Sequence, residues 1–456
     1  MQHLFAKSAL LSTGWASNVR LTIEDGVIAN IEVEAAKQPS DMELGEQILL
    51  PAASNVHSHS FQRAMAGLSE RRGASTDSFW TWRDVMYRFL DHLDVEDINA
   101  IAAFTFMEMA EAGFAAVGEF HYVHHQKGGT PYDNPAETSL QIINAAQHVG
   151  LGLTHLPVLY RFGSVNEEPL KGGQLRFGSD FDLFERMVEG AKISLKSAPN
   201  DYHLGVAPHS LRAVNSELLS KVTQLLPDAP IHMHIAEQLG EVEDVKAHFG
   251  ARPVEWLLNN IEVDRRWCLI HCTHMTPEET IGLAKSGAVA GLCPITEANL
   301  GDGIFDGVRY VEHSGHIGIG SDSDLRISLA EELRTLEHSQ RYQTNQRTVL
   351  AKPHRSNAQN LLQMATSGGA QALGRHAGRL EVGRWADMFT IDPQTILADG
   401  LSESLALDYW MFASRKDNVE NLWSAGRHIV KDGHHINRAE YEQRFKRSLR
   451  KLRVLL

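Results

Sequence analysis

Cysteine is scarce in this 456-residue chain: Cys268, Cys272 and Cys293 are the only three. An odd count without framework spacing excludes a disulfide-stapled scaffold and points to a reducing compartment. Cys268 and Cys272 stand four apart, but both fall in one apolar strand and its exit, which reads as core rather than as a metal pair. No apolar run reaches the ~18 residues of a membrane span. The N-terminus "MQHLFAKSALLSTGW" lacks the charged-then-apolar pattern of a secretory leader. Positive charge is in deficit, with 43 Lys and Arg against 57 Asp and Glu, a formal charge of −14. A general nucleic-acid binder shows basic stripes instead. The expectation is a soluble, cytoplasmic protein with neither nucleic acid nor membrane as partner. Net charge says little about a small substrate, because the local field governs inside a cleft.

What is present is apolar content. Hydrophobic residues make up 43% and charged residues 22%, enough for a large core and too little charge for wholesale disorder. Residues 1–50 look like short strands, and "VRLTIEDGVIANIEV" reads as a hairpin around Asp25-Gly26. The rhythm then changes. Apolar segments recur at 54–60, 115–124, 152–160, 203–210, 231–238, 267–275, 288–295 and 316–324, with stretches of helical periodicity such as "DINAIAAFTFMEMAEAG" between them. Eight such units predict a parallel sheet closed into a (β/α)8 TIM-type barrel over 51–375, with a doubly wound sheet as the competing fold. Most of the eight strands carry His, Glu, Asp or Tyr at or next to their ends, and a barrel gathers its site at those C-terminal ends, which favours the barrel. Strands return after residue 375, so segments 1–50 and 376–436 are expected to combine into a small flanking β-sandwich. The tail, 437–456, is a basic amphipathic helix expected to pack on the body or on a partner subunit rather than on a membrane.

The polar strand ends carry chemistry. His57 and His59 are two apart and so share one face of a strand. His232 and His234 repeat that spacing, and Glu237 follows His234 by three. His271 ends the apolar "LIH", and "IGIGSDSD" closes on Asp322. Each has a plainer reading: His271 as a core histidine, Asp322 as the N-cap of the helix that follows. Together they place several imidazoles and carboxylates at four strand ends of one barrel, a donor set suited to a borderline ion such as zinc that keeps a water. A bound metal lowers the pKa of its water to about 7. Asp322 can bind the metal and hydrogen-bond that water, Glu237 can carry a proton to a leaving group, and His271 can hold the water or polarise the electrophile. The chemistry is addition of water to an sp² carbon, with the leaving group left open.

These residues resemble the amidohydrolase superfamily over nearly the whole chain, including "GRLEVGRWADM" (378–388). The H-x-A-E segment from His234 to Glu237 is similar to its one-metal aminohydrolase branch. So is the lack of a lysine at a strand end, Lys127 lying in a Gly-rich loop. More narrowly, "HSHSFQRAMAG", "DSFWTWRDVMYRF", "GVAPHSLRAV", "CPITEANLGDGIF" and "GSDS" followed by "ISLAEELR" resemble the formimidoylglutamate deiminase family. The resemblance implies one divalent metal ion, zinc, held by His57, His59, His234 and Asp322. It implies Glu237 and His271 as the proton-handling pair, and a substrate pocket of Gln62, Arg83, Tyr122, His209 and Arg212. The implied activity is hydrolysis of N-formimino-L-glutamate to N-formyl-L-glutamate and ammonia in histidine degradation, by a homodimer.

The residues agree with that implication. The substrate is a dicarboxylate, and arginine pairs carboxylates in bidentate fashion. The rival is a deaminase of a cyclic amidine such as guanine or an adenosine derivative, which needs stacking aromatics and amide donors in place of two cations. A metal-binding scaffold without activity would have lost a ligand, Glu237 or His271, and none is missing. Two positions depart from the family pattern. Ser60 replaces an expected alanine. Asp324 stands where histidine is common, and is expected to put a negative charge near the pocket, partly offset by Arg326. His232 shares a face with His234 but lies one pair earlier, deeper in the barrel.

Overall fold

The computed structural model describes residues 1–68, 70, 79–353, 355–393, 400–414 and 419–453. Asp77 and Ser78 of the "DSFWTWRDVMYRF" motif and the side chains of Phe79, Trp80 and Thr81 lie outside the described residues, as do the last three residues of the tail.

Eight parallel strand segments form the barrel. They are Ala53–Ser58, Phe114–His121, Gly152–Leu159, a fourth split into His203–Leu204 and Ala207–Pro208, then Ile231–Ile235, Trp267–His271, Val289–Leu292 and His316–Ile319. The first strand pairs with the second and the eighth, and neighbours follow in sequence order round the sheet. Closure falls between the fourth and fifth, where Val206 bridges Ile231, His232 N–H donates to Val206 at 3.1 Å and His234 N–H to His209 at 3.0 Å. Pro208 has no N–H to offer, and the fourth strand is reduced to these fragments. Every residue of Phe114–His121 and Gly152–Leu159 is buried, as befits strands covered by helices outside and side chains within. The helix Val95–Glu111 opens on a capping box between Asp94 and Asp97 and buries most of its length.

Both ends of the chain share a second sheet. Its nine strands include Gln2–Leu11, Gly14–Glu24 and Val27–Glu32 from the N-terminal side and Met388–Ile391, Asn421–Ser424 and Arg427–Lys431 from the C-terminal side. Ile48–Pro51 pairs antiparallel with Met388–Ile391 and joins the two halves. Asp25 and Gly26 take φ of +50° and +82°, the left-handed pair a two-residue hairpin turn requires. A buried ionic cluster ties this sheet to the barrel. Arg375 donates to Asp387 at 2.9 Å and to Asp201 at 3.2 Å, and Arg427 donates to Asp201 at 2.7 Å. The C-terminal helix Arg438–Arg453 packs on the body of its own chain: Phe445 stacks on Phe104 at 4.1 Å and the Tyr441 hydroxyl donates to the His148 carbonyl at 2.7 Å.

Candidate metal centre and substrate pocket

The strand geometry brings His57, His59, His234 and Asp322 together, with one donor atom from each lying within 4.8 Å of the others. His57 and His59 leave the first strand on one face, as the two-residue spacing requires. His234 comes from the fifth strand, and Asp322 follows the eighth. Gly320 makes that approach possible, because a Cβ there would sit 2.9 Å from His57 Cβ and 2.8 Å from its carbonyl oxygen. Non-glycine residues with left-handed backbone gather at these strand ends: Ala236 (φ +53°), His271 (φ +71°), Cys272 (φ +53°) and Asp322 (φ +46°). Such conformations persist only where the surroundings enforce them, and they concentrate at functional sites.

The hydrogen bonds fix which imidazole nitrogens are lone pairs. His59 Nδ1 lies 3.0 Å from the Phe120 carbonyl and His234 Nδ1 lies 3.1 Å from the His209 carbonyl, so both carry their proton on Nδ1. Their Nε2 atoms are then acceptors, and both face His57 Nε2, at 3.2 and 3.1 Å. A single N–H on His57 would serve one of them at most. Asp322 Oδ1 adds a carboxylate oxygen 3.2 Å from His59 Nε2 and 3.4 Å from His57 Nε2. Burial lowers the pKa of all three histidines, outweighing the pull of Asp322 at His59, and keeps them neutral. Lone pairs and a carboxylate converging in a buried space fit a cation, and the Nδ1–carbonyl bonds are the supports metal-ligating histidines use. Phe120, whose ring lies 5.0 Å from that of His57 and 4.5 Å from that of His234, floors the cluster.

His271 and Glu237 stand beside the cluster. His271 Nε2 is 3.9 Å from Glu237 Oε1 and 4.0 Å from Asp322 Oδ2. Burial pushes the Glu237 carboxyl up to about 7, against the opposing pull of His271. Burial alone would lower His271, but Glu237, Glu297 and Asp322 outweigh it and raise its pKa. The turn carrying Glu237 is held by Glu241, which accepts from the Ala236 and Glu237 N–H groups at 3.1 and 3.0 Å.

Above these groups one pocket is lined by Gln62, Arg83, Tyr122, His209 and Arg212 together with His59, His234, Glu237, His271 and Asp322. The structure therefore brings every expected site residue to one place, with His57 buried beneath. Gln62 Nε2 donates to the Tyr122 hydroxyl at 2.9 Å, and the Tyr122 ring lies 4.7 Å from His59. The Arg212 Nε has no hydrogen-bond partner among the described residues. Tyr160, Tyr87, Met86 and Phe177 also line the pocket, beyond the residues expected there. Tyr160 ends "GLTHLPVLY", so the strand-end rule is enough to find it. Met86 and Tyr87 follow Arg83 by three and four on the helix Phe79–Leu90, and so share its face.

Several expectations change. Asp324 does not face the pocket. It is wholly buried, accepting from the Ser58 hydroxyl at 3.0 Å and the Ser321 hydroxyl at 2.5 Å. Arg326 does not offset it but pairs with Glu331, while Arg63 donates to the Asp324 carbonyl at 3.1 Å. The plainer reading of Asp322 as a helix cap fails, because Ser328 caps Leu329–Thr344. His232 is buried and hydrogen-bonded to the Ala372 carbonyl at 2.8 Å, away from the cluster. Lys127 is exposed and 3.7 Å from Asp91.

A closed parallel barrel, a joined-end sheet and a three-histidine, one-aspartate cluster at the strand ends define the amidohydrolase class, and residues 48–429 match the amidohydrolase family. The chain belongs to that family, whose members are metal-dependent. Residues 1–45 match the N-terminal domain of formimidoylglutamate deiminase HutF. Over 438 residues, 95% of this chain and 96% of the relative, it is 44% identical to the formimidoylglutamate deiminase of Pseudomonas aeruginosa. It is 25% identical, over 90% of its length and 89% of the relative, to a 5-methylthioadenosine/S-adenosylhomocysteine deaminase of Shouchella clausii. A solved amidohydrolase from Brucella melitensis superposes with a TM-score of 0.94 at 46% identity, covering 99% of this chain and 100% of that one.

Proposed function

We propose that this protein hydrolyses N-formimino-L-glutamate to N-formyl-L-glutamate and ammonia. The observation that carries the reading is the placing of two arginines, Arg83 and Arg212, in the same pocket as the His57, His59, His234 and Asp322 cluster. A substrate with two carboxylates and one amidine needs that combination: cations to hold the acid groups and a hydrolytic centre at the formimino carbon. The 44% identity to the Pseudomonas aeruginosa deiminase along nearly the full length of both chains supports the same reading.

The four clustered residues would hold one ion, and three neutral imidazoles with a carboxylate favour zinc. When bound, such an ion supplies a water that is acidic enough to attack near neutral pH. The chain's own residues do the rest. Arg212 and Arg83 anchor the carboxylates, and Gln62 and Tyr122 with His209 border the amidine. Asp322 accepts the proton of the attacking water. Glu237 transfers a proton to the departing nitrogen, and His271 holds the developing oxyanion side of the carbon. The reading extends to a homodimer, as the family resemblance implies, and to the cytoplasm, as the composition suggests. Its three cysteines are free and buried, and among the described residues no helix is long and apolar enough to cross a membrane.

The test is ammonia release from formiminoglutamate, formiminoaspartate, guanine and an adenosine derivative, with metal content measured on the same sample. Turnover confined to formiminoglutamate is expected. Preference for guanine or the nucleoside would replace this reading with that of a cyclic-amidine deaminase.

A further inference from the structure

The helix Pro294–Leu300, which follows the seventh barrel strand, supplies no residue to the four-ligand cluster, yet its first turn reaches two of the groups beside it. Thr296 holds the loop that carries Asp322: its hydroxyl lies 2.9 Å from the Ser323 hydroxyl and donates to the Ser321 carbonyl at 3.2 Å. Glu297, the next residue, turns the other way. Its Oε1 lies 3.3 Å from His271 Nδ1 and accepts the Cys293 N–H at 2.8 Å. Cys293 precedes the first helical turn, where N–H groups lack partners within the helix, so the helix start itself aims the Glu297 side chain back toward His271.

We propose that Glu297 is a positioning residue for the reaction, acting through His271. The proposal rests on the functional reading above only in taking His271 to face the reacting carbon. The left-handed backbone of His271 sets where its Cβ points but not how the ring is turned, since χ2 of histidine is broad and roughly two-fold. Among the described residues the bond to Glu297 is the one hydrogen bond of that ring. By accepting at Nδ1 it keeps a proton there and leaves Nε2 facing Glu237 and Asp322, at 3.9 and 4.0 Å. A ring flipped about χ2 would turn a carbon toward the substrate instead. Carboxylate partners orient metal-bound imidazoles in this way, where their loss typically costs about 10–100-fold, and the same bond here would fix the ring of His271. Two neighbours in the "CPITE" run thus act on the site from one helical turn, Thr296 by holding the loop of Asp322 and Glu297 by placing the imidazole.

The experiment compares E297A, E297D and E297Q in the full-length, metal-loaded protein. E297A is expected to lower kcat about 10–100-fold, with metal content intact and KM within about threefold of wild type, because the contact matters only to the reacting geometry. E297D withdraws the carboxylate by one methylene and is expected to lose kcat in the same way, so it decides the matter if E297A does not fold. E297Q keeps an acceptor oxygen and is expected to recover most of the loss. In an H271N background E297A should cost nothing more, since a residue acting through His271 has nothing left to act on. Wild-type kcat in E297A or E297D, a loss that tracks lost metal, or a full additional loss on top of H271N would each overturn the proposal. Wild-type turnover of formiminoglutamate tests the functional reading separately. The Glu297 comparison uses whichever amidine the wild type hydrolyses, so the two failures are distinguishable.

Discussion

His57 and His234 bring their Nε2 atoms to 3.1 Å of each other, although His234 already spends its one proton on the His209 carbonyl. With His59 arranged likewise, one N–H on His57 cannot serve both neighbours, and the converging lone pairs suit a cation. Removing the ion with a chelator is therefore expected to abolish turnover and to lower the melting temperature, and added zinc should restore both. An ion at about 1,000 times its Kd stabilises by about 4 kcal/mol, so the shift should be easily read by calorimetry. H234A should bind no ion at this site. Unchanged melting after verified metal removal would argue that the cluster is preformed without a cation.

Glu237 is buried beside His271, with Oε1 3.9 Å from the His271 Nε2. Replacing it with glutamine keeps the shape and removes the proton exchange. E237Q should retain metal and substrate binding and lose about 10²–10⁴-fold in kcat, the ordinary worth of a positioned acid–base group. Single-turnover kinetics with metal analysis checks this, and retained activity would take Glu237 out of the proton path.

Arg212 reaches the pocket from the turn after the fourth strand, and its Nε lacks a hydrogen-bond partner among the described residues. An anchoring role makes its loss a loss of binding. R212M should raise KM for the dicarboxylate by about 10–100-fold, the 1.5–3 kcal/mol typical of a hydrogen bond to a charged group, and leave kcat nearly unchanged. A monocarboxylate analogue should lose less. If KM and kcat both hold, the carboxylate is anchored elsewhere.

The barrel is legible in the sequence because each strand is a short apolar run ending in a polar residue, a pattern that survives without knowing any contact. The ligands are legible for the same reason, as His57, His59, His234 and Asp322 all sit where strands end. Asp324 is not, because local sequence does not say which way a residue turns after a left-handed neighbour. With Asp322 at φ +46° and Asp324 at φ +52°, the chain swings the second carboxyl behind the first strand, onto Ser58. Glu297 falls inside the "CPITEANLGDGIF" motif, but its role is not legible there because it lies in a contact with His271, 26 residues away, and no spacing encodes it. Met86 and Tyr87 from the Arg83 helix are likewise defined by convergence in space, whereas Tyr160, at the end of the third strand, is within reach of the strand-end rule.

Behind the second and third strands lies a group of histidines that takes no part in the site. His155 is fully buried, with its ring 5.6 Å from that of His121, which in turn lies 5.4 Å from His124. His121 is bonded to the Thr138 hydroxyl at 2.9 Å and His124 to the Val158 carbonyl at 2.9 Å. Burial, with a smaller contribution from His124, lowers His155 to about 3, and burial depresses His121 and His124 well below the usual value. Linkage fixes the sign. Above pH 6.5 His155 is neutral in both the folded and the unfolded chain and adds no pH dependence. As pH falls below 6.5 the unfolded chain takes up the proton and the folded one does not, so stability is lost continuously down to about pH 3. Each such histidine contributes a slope of up to about 1.4 kcal/mol per pH unit, or about 2 kcal/mol by pH 5. H155L removes one of these protons. Urea midpoints measured at pH 7.5, 6.0 and 5.0 should fall less steeply for H155L than for wild type, whatever the offset between them at pH 7.5. Parallel lines would mean that His155 takes up its proton over the same pH range in the folded and the unfolded chain, and that the acid lability arises from other groups.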